Sequence, residues 1–387
     1  MLGPLHNPYR LAGRAELAQA MAEVRAHTLT LMRAWEEALP TLSVPQADTL
    51  NPPLWEWGHI AWFQEWWTIR HPQRYRGIRS DCAETGFAAS VMPGADERYN
   101  SSRVAHATRW SLPLPGLDAT LAYLAQVQAQ SLAGLLAAPD ESDESLYFWR
   151  LALCHEAMHQ EASLYMAQSL GLAWPEGLGR RDPPKTQAAP GEATLQIAAT
   201  RLNMGHRGLG FAFDNECPDH VVSLEAFEID ARALRWGAYV AFLADTGHPA
   251  PQVLRHEGGQ WLLRRFGRWL PLPMDEAAVH VPAGDAQAWC QWAGRRLPTE
   301  AQWCAAANHP AFEWGEVWEW TASPFLPWPG FAAHPYQDYS KPWWGTHRVL
   351  KGASWATPAC LPDVRFRNFF TPGRDDVMAG FRSVSAA

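Results

Sequence analysis

The chain has 387 residues, too many for one ordinary core, and its 47% apolar and 19% charged content excludes a disordered protein. The formal net charge of −8 excludes a basic surface for nucleic acid. No apolar run is long enough to span a membrane, and the opening residues contain no apolar signal core. We therefore expect a cytoplasmic protein, and nothing in the sequence indicates its oligomeric state.

The first part of the chain is predicted to be helical. Apolar residues recur at helical spacing over 17–35 and predict a first helix. A second helix is expected to begin after Asn51-Pro52-Pro53, because proline is tolerated in a first turn, and to continue to about Arg70. A loop rich in Gly, Asp and Ser separates it from a third helix over 121–135 and a fourth over 144–170. Four helices with one long crossover indicate a bundle.

The texture of the sequence changes after the fourth helix. Residues 176–193 are rich in Pro and Gly and are predicted to link a domain at 1–175 to a second domain at 194–387. In the second domain the strand candidates LQIA, HVVSL and FEID alternate with turns, and short helices are expected near 236–245 and 285–293. The predicted fold class is α+β in two domains. The six cysteines form no CxxC pair and suit reduced, buried thiols.

The sharpest local motif is HEAMHQE in the fourth helix. His155 and His159 are four residues apart, so both imidazoles project from one helix face and can chelate one metal ion. His59, in the Trp-rich second helix, is placed to face them across the bundle core. Three imidazoles leave coordination positions open and suit zinc, copper, iron and nickel alike. The alternative is that these histidines only pack or form hydrogen bonds.

Two acidic residues of the same helix stand beside the histidines. Glu156 and Glu161 are close enough in sequence to orient the ligands through hydrogen bonds. The alternative is that they are solvated charges on the helix surface, and for Glu156 that alternative is favoured.

Four segments of the second domain follow one another in a recognisable order. They are GRRLPTEAQW (294–303), EVWEWTAS (316–323), LKGASW (350–355) and GFR (380–382). They resemble the signature segments of the formylglycine-generating-enzyme-like fold, which is related to C-type lectins. Copper-binding members of that fold use two cysteines near the C-terminus, and only Cys360 lies in this region here. Formylglycine formation is therefore not expected.

The combination of the two domains carries a further resemblance. A DinB-like helical domain that contains HxxxH and an upstream histidine is fused to this second domain. This combination resembles the ergothioneine-biosynthesis sulfoxide synthases and their relatives, the selenoneine synthases. The resemblance covers nearly the whole chain. It implies a non-haem iron(II), O2-dependent enzyme that joins sulfur or selenium to the imidazole carbon of hercynine, the trimethylated betaine of histidine. It also implies that His59, His155 and His159 hold the iron.

The segment HPYQDYS (334–340) resembles a stretch of the actinobacterial sulfoxide synthases. Tyr336 and Tyr339 match a YxxY pair, in which Tyr336 corresponds to the tyrosine that supplies a proton during catalysis and Tyr339 belongs to the substrate site. A phenol suits the first role because it is a neutral O–H donor that can also be oxidised. The alternative is that both tyrosines only pack a domain interface.

The segment RFRNFFTPGR (365–374) matches the family's RxxYRNxxxPxxR pattern. By this resemblance, Asn368 and Phe369 fall where the family contacts hercynine. Arg374 falls where some members bind the carboxylate of the donor. Phe370 stands where the members that use γ-glutamylcysteine have an aspartate for the donor's amino group.

Departures from the thiol-using members point to a different donor. Besides Phe370, Met158 replaces a glutamine, and the loop RYNSSRVAHATRW (98–110) lacks their basic, tyrosine-containing sequence. The loop is more similar to the selenoneine branch, whose donor is a selenosugar, and Arg103 and Arg109 are candidates to contact that donor. Both could instead be ordinary surface arginines.

The expected function is selenoneine synthase, which forms a C–Se bond between hercynine and a selenosugar with O2. The alternative of the same class is a sulfoxide synthase that forms a C–S bond between hercynine and cysteine or γ-glutamylcysteine. Alternatives of other classes are a zinc-dependent DinB-type thiol S-transferase and a lectin-like binding module.

Overall fold

The computed structural model describes residues 6–81, 83–180 and 193–385. Within these residues, the N-terminal part (6–180) contains five α-helices: α1 (Arg14–Ala38), α2 (Pro53–Glu65), α3 (Ala95–Tyr99), α4 (Leu117–Leu136) and α5 (Asp143–Leu170). It also contains short 3-10 helices and a π-helical extension of α2: Pro8–Leu11, Gly77–Arg79, His106–Ser111 and Trp66–Arg70. The four long predicted helices are confirmed, whereas α3 lies in the segment that was predicted to be a loop.

Helix α5 is the central helix of the N-terminal part. Its N-cap, Ser142, accepts a hydrogen bond from the backbone N–H of Ser145 at 3.2 Å, and the helix ends at Gly171 with a φ of 64°. Helices α1 and α2 pack against α5, and α4 packs mainly against α2. Trp67 stacks on Phe148 of α5 with ring centroids 4.9 Å apart. This packing buries the faces of α2 and α5 that carry the predicted histidines.

The C-terminal part (193–385) mixes helices and short strands. Its described helices are α6 (Trp236–Thr246), α7 (Ala283–Trp292) and α8 (Glu300–Ala306). Its described strands are β1 (Thr194–Ile197), β2 (Thr200–Met204), β3 (His220–Leu224), β4 (Phe227–Asp230), β5 (Leu254–Glu257), β6 (Gln260–Arg265), β7 (Arg268–Pro271), β8 (Arg295–Arg296), β9 (Trp318–Pro324), β10 (Arg348–Gly352), β11 (Asn368–Phe370), β12 (Ala379–Gly380) and β13 (Val384–Ser385). The expected α+β character of this part is confirmed.

The strands form two four-stranded sheets, with orders β1-β4-β13-β8 and β11-β10-β9-β12, together with a β2–β3 hairpin and a β5–β6–β7 meander. In the second sheet, β10 runs antiparallel to both neighbours, and Leu350 pairs with Trp320 on one side and Asn368 on the other. Strand β11 is the edge of this sheet, so its side chains stand at the border of the C-terminal part. The three predicted strands are confirmed, and the meander was not predicted.

The ordered sequence segments of the C-terminal part meet at one buried carboxylate. Glu319 of β9 accepts a hydrogen bond from the indole N–H of Trp303 at 2.8 Å and from the guanidinium of Arg382 at 2.5 and 2.7 Å. Glu319 and Arg382 are almost inaccessible to solvent. A buried charge needs such partners, which explains why GRRLPTEAQW, EVWEWTAS and GFR occur together.

A buried ion-pair cluster joins the N-terminal segment to the C-terminal part. Arg10 lies between Glu216, at 2.8 Å from Nη2 to Oε1, and Asp363, at 3.3 Å from Nε to Oδ2. Asn7 adds a bond from its backbone N–H to Asp363 at 3.0 Å. On α5, Glu161 accepts a hydrogen bond from the indole N–H of Trp318 at 2.8 Å. The two parts are therefore held together by desolvated polar contacts as well as by apolar packing.

The predicted linker at 176–193 falls mainly on residues 181–192, which lie outside the described residues. No helix in the described part of the chain combines the length and the apolar character that crossing a membrane requires.

We expect Arg10→Met to lower the free energy of unfolding by about 3–5 kcal/mol, because it leaves the buried carboxylate of Glu216 without its cation and removes one of the two arginines that pair with Asp363. Urea unfolding measures the change. The control is Arg14→Ala, whose ion pair with Glu141 is exposed and should contribute less than about 1 kcal/mol. Equal effects of the two substitutions would contradict this account of the interface.

Candidate metal centre

The structure brings together the three predicted metal-binding histidines. His59 comes from α2, and His155 and His159 come from successive turns of α5. One ring nitrogen of each lies within 4.8 Å of the others, and the Nε2 atoms of His155 and His159 are 3.2 Å apart. His59 and His155 are only 3% and 4% exposed, while His159 is partly exposed. Such a cluster of convergent nitrogens has the size of a single metal site.

A backbone carbonyl sets the orientation of His59. Its Nδ1 lies 2.7 Å from the carbonyl oxygen of Tyr99, at the end of α3. The carbonyl can only accept, so it places the proton on Nδ1 and leaves the Nε2 lone pair for a metal. Gly58 permits this approach, because a Cβ at that position would stand 2.2 Å from the Tyr99 ring. The short helix α3, absent from the prediction, is thus part of the site.

A carboxylate orients His159 in the same way. Glu56 of α2 accepts a hydrogen bond from Nδ1 of His159, which leaves Nε2 facing the other two histidines. Burial opposes the charge of Glu56, but His159 and His59 hold the pKa of its carboxyl below the usual value. The prediction missed Glu56. Its signal in the sequence is the spacing of three residues from His59, which places both on one helix face.

The site favours neutral imidazoles. Burial and the neighbouring imidazole of His159 lower the pKa of His59 to about 3, and burial also lowers the pKa of His155 well below its usual value. A metal requires deprotonated nitrogen ligands, so the donor set fits a divalent ion of the iron-to-zinc series. Three protein ligands leave positions for substrates, as in catalytic sites.

Aromatic rings enclose the triad and connect it to the C-terminal part. Phe63 stacks on His155 with centroids 3.5 Å apart and an interplanar angle of 5°. Trp55 stacks on His59 at 4.8 Å. The ring of Tyr336, in the C-terminal part, meets the ring of Phe63 edge-on, with centroids 4.9 Å apart. Phe63 therefore lies between Tyr336 and His155, one of the predicted metal ligands.

The second tyrosine of the HPYQDYS segment lies deeper in the same interface. The hydroxyl of Tyr339 is 3.9 Å from the sulfur of Met158, the residue before His159, and its ring stacks on Phe213 at 4.3 Å. Burial, followed by the charge of Asp338, raises the pKa of Tyr336, and burial raises that of Tyr339 well above the usual value. Both phenols therefore stay protonated at neutral pH.

Strand β11 places two of the predicted substrate contacts beside Tyr339. The side-chain oxygen of Asn368 accepts a hydrogen bond from the backbone N–H of Phe369 at 2.9 Å. The ring of Phe369 stacks on Phe325 at 4.1 Å and meets Tyr339 edge-on at 5.7 Å. Phe369 and the tyrosine pair thus form one continuous aromatic wall, and Asn368 precedes Phe369 on β11.

Phe370 and Arg374 lie against the C-terminal half of α5. Phe370 meets Tyr165 edge-on at 6.4 Å. The guanidinium of Arg374 lies over both rings, at 5.4 Å from Tyr165 and 5.1 Å from Phe370, and pairs with Asp376 through two bonds of 2.5 Å. The positive charge predicted to bind a donor carboxylate is therefore already matched within the protein.

The structure separates the two arginines of the 98–110 loop. Arg103 lines a cavity of about 450 Å³ beside Tyr336, whose aromatic wall comes from the C-terminal half of α2 and its extension. Arg109 lies at the other end of α2, with its guanidinium 3.6 Å from the centroid of Trp55 and Nη1 2.8 Å from Oδ1 of Asn51. The two side chains face different surroundings and have different partners.

The two glutamates of HEAMHQE, Glu156 and Glu161, bind partners on other elements of the fold. Glu156 forms a buried ion pair with Arg25 of α1 at 2.8 Å, so its interpretation as a solvated surface charge is wrong. Glu161 accepts hydrogen bonds from Trp318, Ser354 and Thr357 of the C-terminal part. The carboxylate bonded to His159 is that of Glu56.

Comparisons with known proteins show the family of the chain. Residues 180–316 and 311–387 match the family described as a sulfatase-modifying factor enzyme 1-like domain. Hercynine oxygenase of Mycolicibacterium thermoresistibile is 30% identical, over 95% of this chain and 94% of that protein. The chain belongs to the ergothioneine sulfoxide synthase-like family. Another relative in this family is the hercynine oxygenase of Mycobacterium tuberculosis, 29% identical over 95% of this chain and 98% of that protein.

A more distant relative matches about half of the chain. Formylglycine-generating enzyme of Streptomyces coelicolor is 26% identical over 53% of this chain and 95% of its own length.

We expect the purified chain to bind a single divalent metal ion and His155→Ala to lose it, because two imidazoles cannot replace three convergent ones. Elemental analysis after dialysis against iron(II) measures the occupancy. His256→Ala is the control, since His256 is exposed on β5. Full occupancy of His155→Ala would place the metal elsewhere.

Proposed function

We propose that this chain is a non-haem iron(II), O2-dependent enzyme that joins selenium from a selenosugar to the imidazole carbon of hercynine, and is thus a selenoneine synthase. The observation that carries the proposal is the meeting of His59, His155 and His159 with Tyr336 across the interface of the two parts. The curated relatives that match nearly the whole chain bear the name hercynine oxygenase. Iron(II) in the triad would supply the redox chemistry with O2, and the protein would supply orientation and exclusion of water.

The walls around the triad suit hercynine as the acceptor. A quaternary ammonium group is attracted by aromatic faces, and Tyr339, which meets Phe369 edge-on, contacts Met158, the residue before His159. Because the oxygen of Asn368 is engaged by the backbone, its NH2 group is the one that can donate to a carboxylate. Hercynine bound between these groups would hold its imidazole towards the metal.

Tyr336 is the residue that would deliver a proton. Its pKa is raised by burial and by Asp338, so its phenol remains an O–H donor at neutral pH. Its edge contact with Phe63 keeps the ring beside the triad, at the wall of the cavity that Arg103 also lines. A positioned donor of this kind contributes to catalysis by general acid chemistry.

The surroundings of Arg374 support a donor that is not an amino acid. Its charge is matched by Asp376, and Phe370 offers no acceptor for an amino group. The cavity beside Tyr336 has an aromatic wall of Trp62, Trp66 and Trp67 and a polar rim. Such a surface can stack on the apolar face of a sugar while the rim binds its hydroxyls.

The second candidate is a sulfoxide synthase that takes cysteine or γ-glutamylcysteine. The observation that favours it is Arg103, a cation on the rim of the cavity beside Tyr336, where it could pair with the carboxylate of a thiol donor. The reaction with hercynine and the role of the triad would be unchanged.

The identity of the donor substrate can be tested with iron-loaded protein, hercynine and O2. One donor is supplied at a time, and the product is identified by mass spectrometry. We expect a C–Se product from a selenosugar and much slower turnover with cysteine or γ-glutamylcysteine. Turnover with thiols alone would assign the chain to the sulfur branch, and no coupled product with any donor would contradict the proposal as a whole.

We expect Tyr336→Phe to lower kcat by about 100-fold or more while hercynine binding is retained, because only the hydroxyl that donates the proton is removed. Steady-state kinetics and calorimetric titration with hercynine measure the two effects. Tyr239→Phe is the control, since Tyr239 is a buried tyrosine of α6, remote from the triad in sequence, and its hydroxyl has no hydrogen-bond partner among the described residues. An unchanged kcat in Tyr336→Phe would remove its role.

A further inference from the structure

Arg109 stands at the junction of two contacts that both lead to the metal-binding histidines. It belongs to the 3-10 helix His106–Ser111, in the loop between α3 and α4. Its guanidinium touches Asn51 and the face of Trp55. Trp55 stacks on His59, and Asn51 is connected to His159 through Glu56.

The first route is a chain of hydrogen bonds to His159. Nη1 of Arg109 donates to Oδ1 of Asn51 at 2.8 Å, and Nδ2 of Asn51 donates to Oε1 of Glu56 at 2.5 Å. The other oxygen of Glu56 is bonded to Nδ1 of His159. Because Arg109 engages the Asn51 oxygen, the amide NH2 faces Glu56 and its carboxylate is held in one orientation.

The second route is a stack of planar groups that ends on His59. The guanidinium carbon of Arg109 lies 3.6 Å from the Trp55 ring centroid. Trp55 stacks on His59 with centroids 4.8 Å apart and an interplanar angle of 9°. An arginine over an indole face adds cation–π attraction, which holds the ring against movement.

The 3-10 helix that contains Arg109 is held by hydrogen bonds to the segment before α2, which contains Asn51. Nε2 of His106 lies 2.9 Å from the carbonyl oxygen of Leu50, and the indole N–H of Trp110 donates to the carbonyl of Val44 at 3.0 Å. Arg109 therefore lies in a part of the loop that these hydrogen bonds hold in place, whereas Arg103 lines the cavity beside Tyr336.

We propose that Arg109 is a positioning residue of the metal site, which orients His159 through Asn51 and Glu56 and His59 through Trp55, and that it does not bind the donor. The inference rests on the metal triad of the proposed function. It assigns the two loop arginines different tasks, with Arg103 at the cavity and Arg109 behind the ligands. Removing such an outer partner weakens metal affinity because the ligands lose their fixed orientation.

The test uses the full-length metal-free protein and Co(II), whose visible absorption reports the geometry of its ligands. We expect Arg109→Ala to weaken Co(II) binding by about 10- to 100-fold and to change the absorption spectrum. Asn51→Ala should also weaken Co(II) binding, by a smaller factor, because it breaks only the route to His159. Adding it to Arg109→Ala should change little, because Arg109→Ala already breaks that route. Arg109→Lys, which keeps the charge without the planar fork, should recover only part of the affinity.

Arg103→Ala is the matched control and should leave the Co(II) affinity and spectrum unchanged. If Arg109→Ala failed to fold, Asn51→Ala would break the same hydrogen-bond chain and carry the test. Unchanged Co(II) binding in Arg109→Ala and Asn51→Ala, with a raised KM for the donor in Arg109→Ala, would overturn the inference. A wild-type chain that bound no Co(II) would overturn the triad itself, and the role of Arg109 with it.

Discussion

The candidate site depends on three buried carboxylates that fix helix α5 from different directions. Glu156 ties α5 to Arg25 of α1, Glu56 ties it to α2 through His159, and Glu161 ties it to the C-terminal part through Trp318. A charge removed from water needs a fixed partner, so each of these contacts permits only one placement of the helix. The spacing of the histidine nitrogens, and with it the ability to hold a metal, follows from that placement.

The same constraint brings the chemistry of the C-terminal part to the metal-binding helices. Once Glu161 is held against Trp318, the segment that carries the tyrosine pair lies beside α2 and α5, with Tyr336 against Phe63 and Tyr339 against Met158. The candidate site draws on both parts. The helical part contributes three imidazoles, and the C-terminal part contributes the Tyr336 phenol, which we propose as the proton donor, and the aromatic side chains of β11.

The sequence predicted those features of the site that follow from local geometry or from ordered motifs. The spacing of His155 and His159 on one helix is local, and three of the four ordered segments occur together because they share the buried carboxylate of Glu319. Features that depend on contacts between distant segments escaped prediction. From the sequence alone, Glu156 resembles a charge on the helix surface, because its partner Arg25 lies on a different helix.

The outer contacts of the histidines were missed for the same reason. The carbonyl of Tyr99 reaches His59 only because α3 folds back over Gly58, in a segment with no helical pattern long enough to detect. The two loop arginines look alike in sequence and differ only in what packs against them. Helical periodicity identifies the face on which a residue lies, but it does not identify the partner that covers that face.

The most direct test of a site shared by the two parts is a crystal structure of the iron(II)-loaded chain with hercynine. The account predicts a metal bound by His59, His155 and His159, with hercynine between the triad and the wall of Phe369 and Tyr339, and with the hydroxyl of Tyr336 facing the reacting positions. A metal bound by Glu56, or hercynine bound away from the C-terminal part, would contradict it.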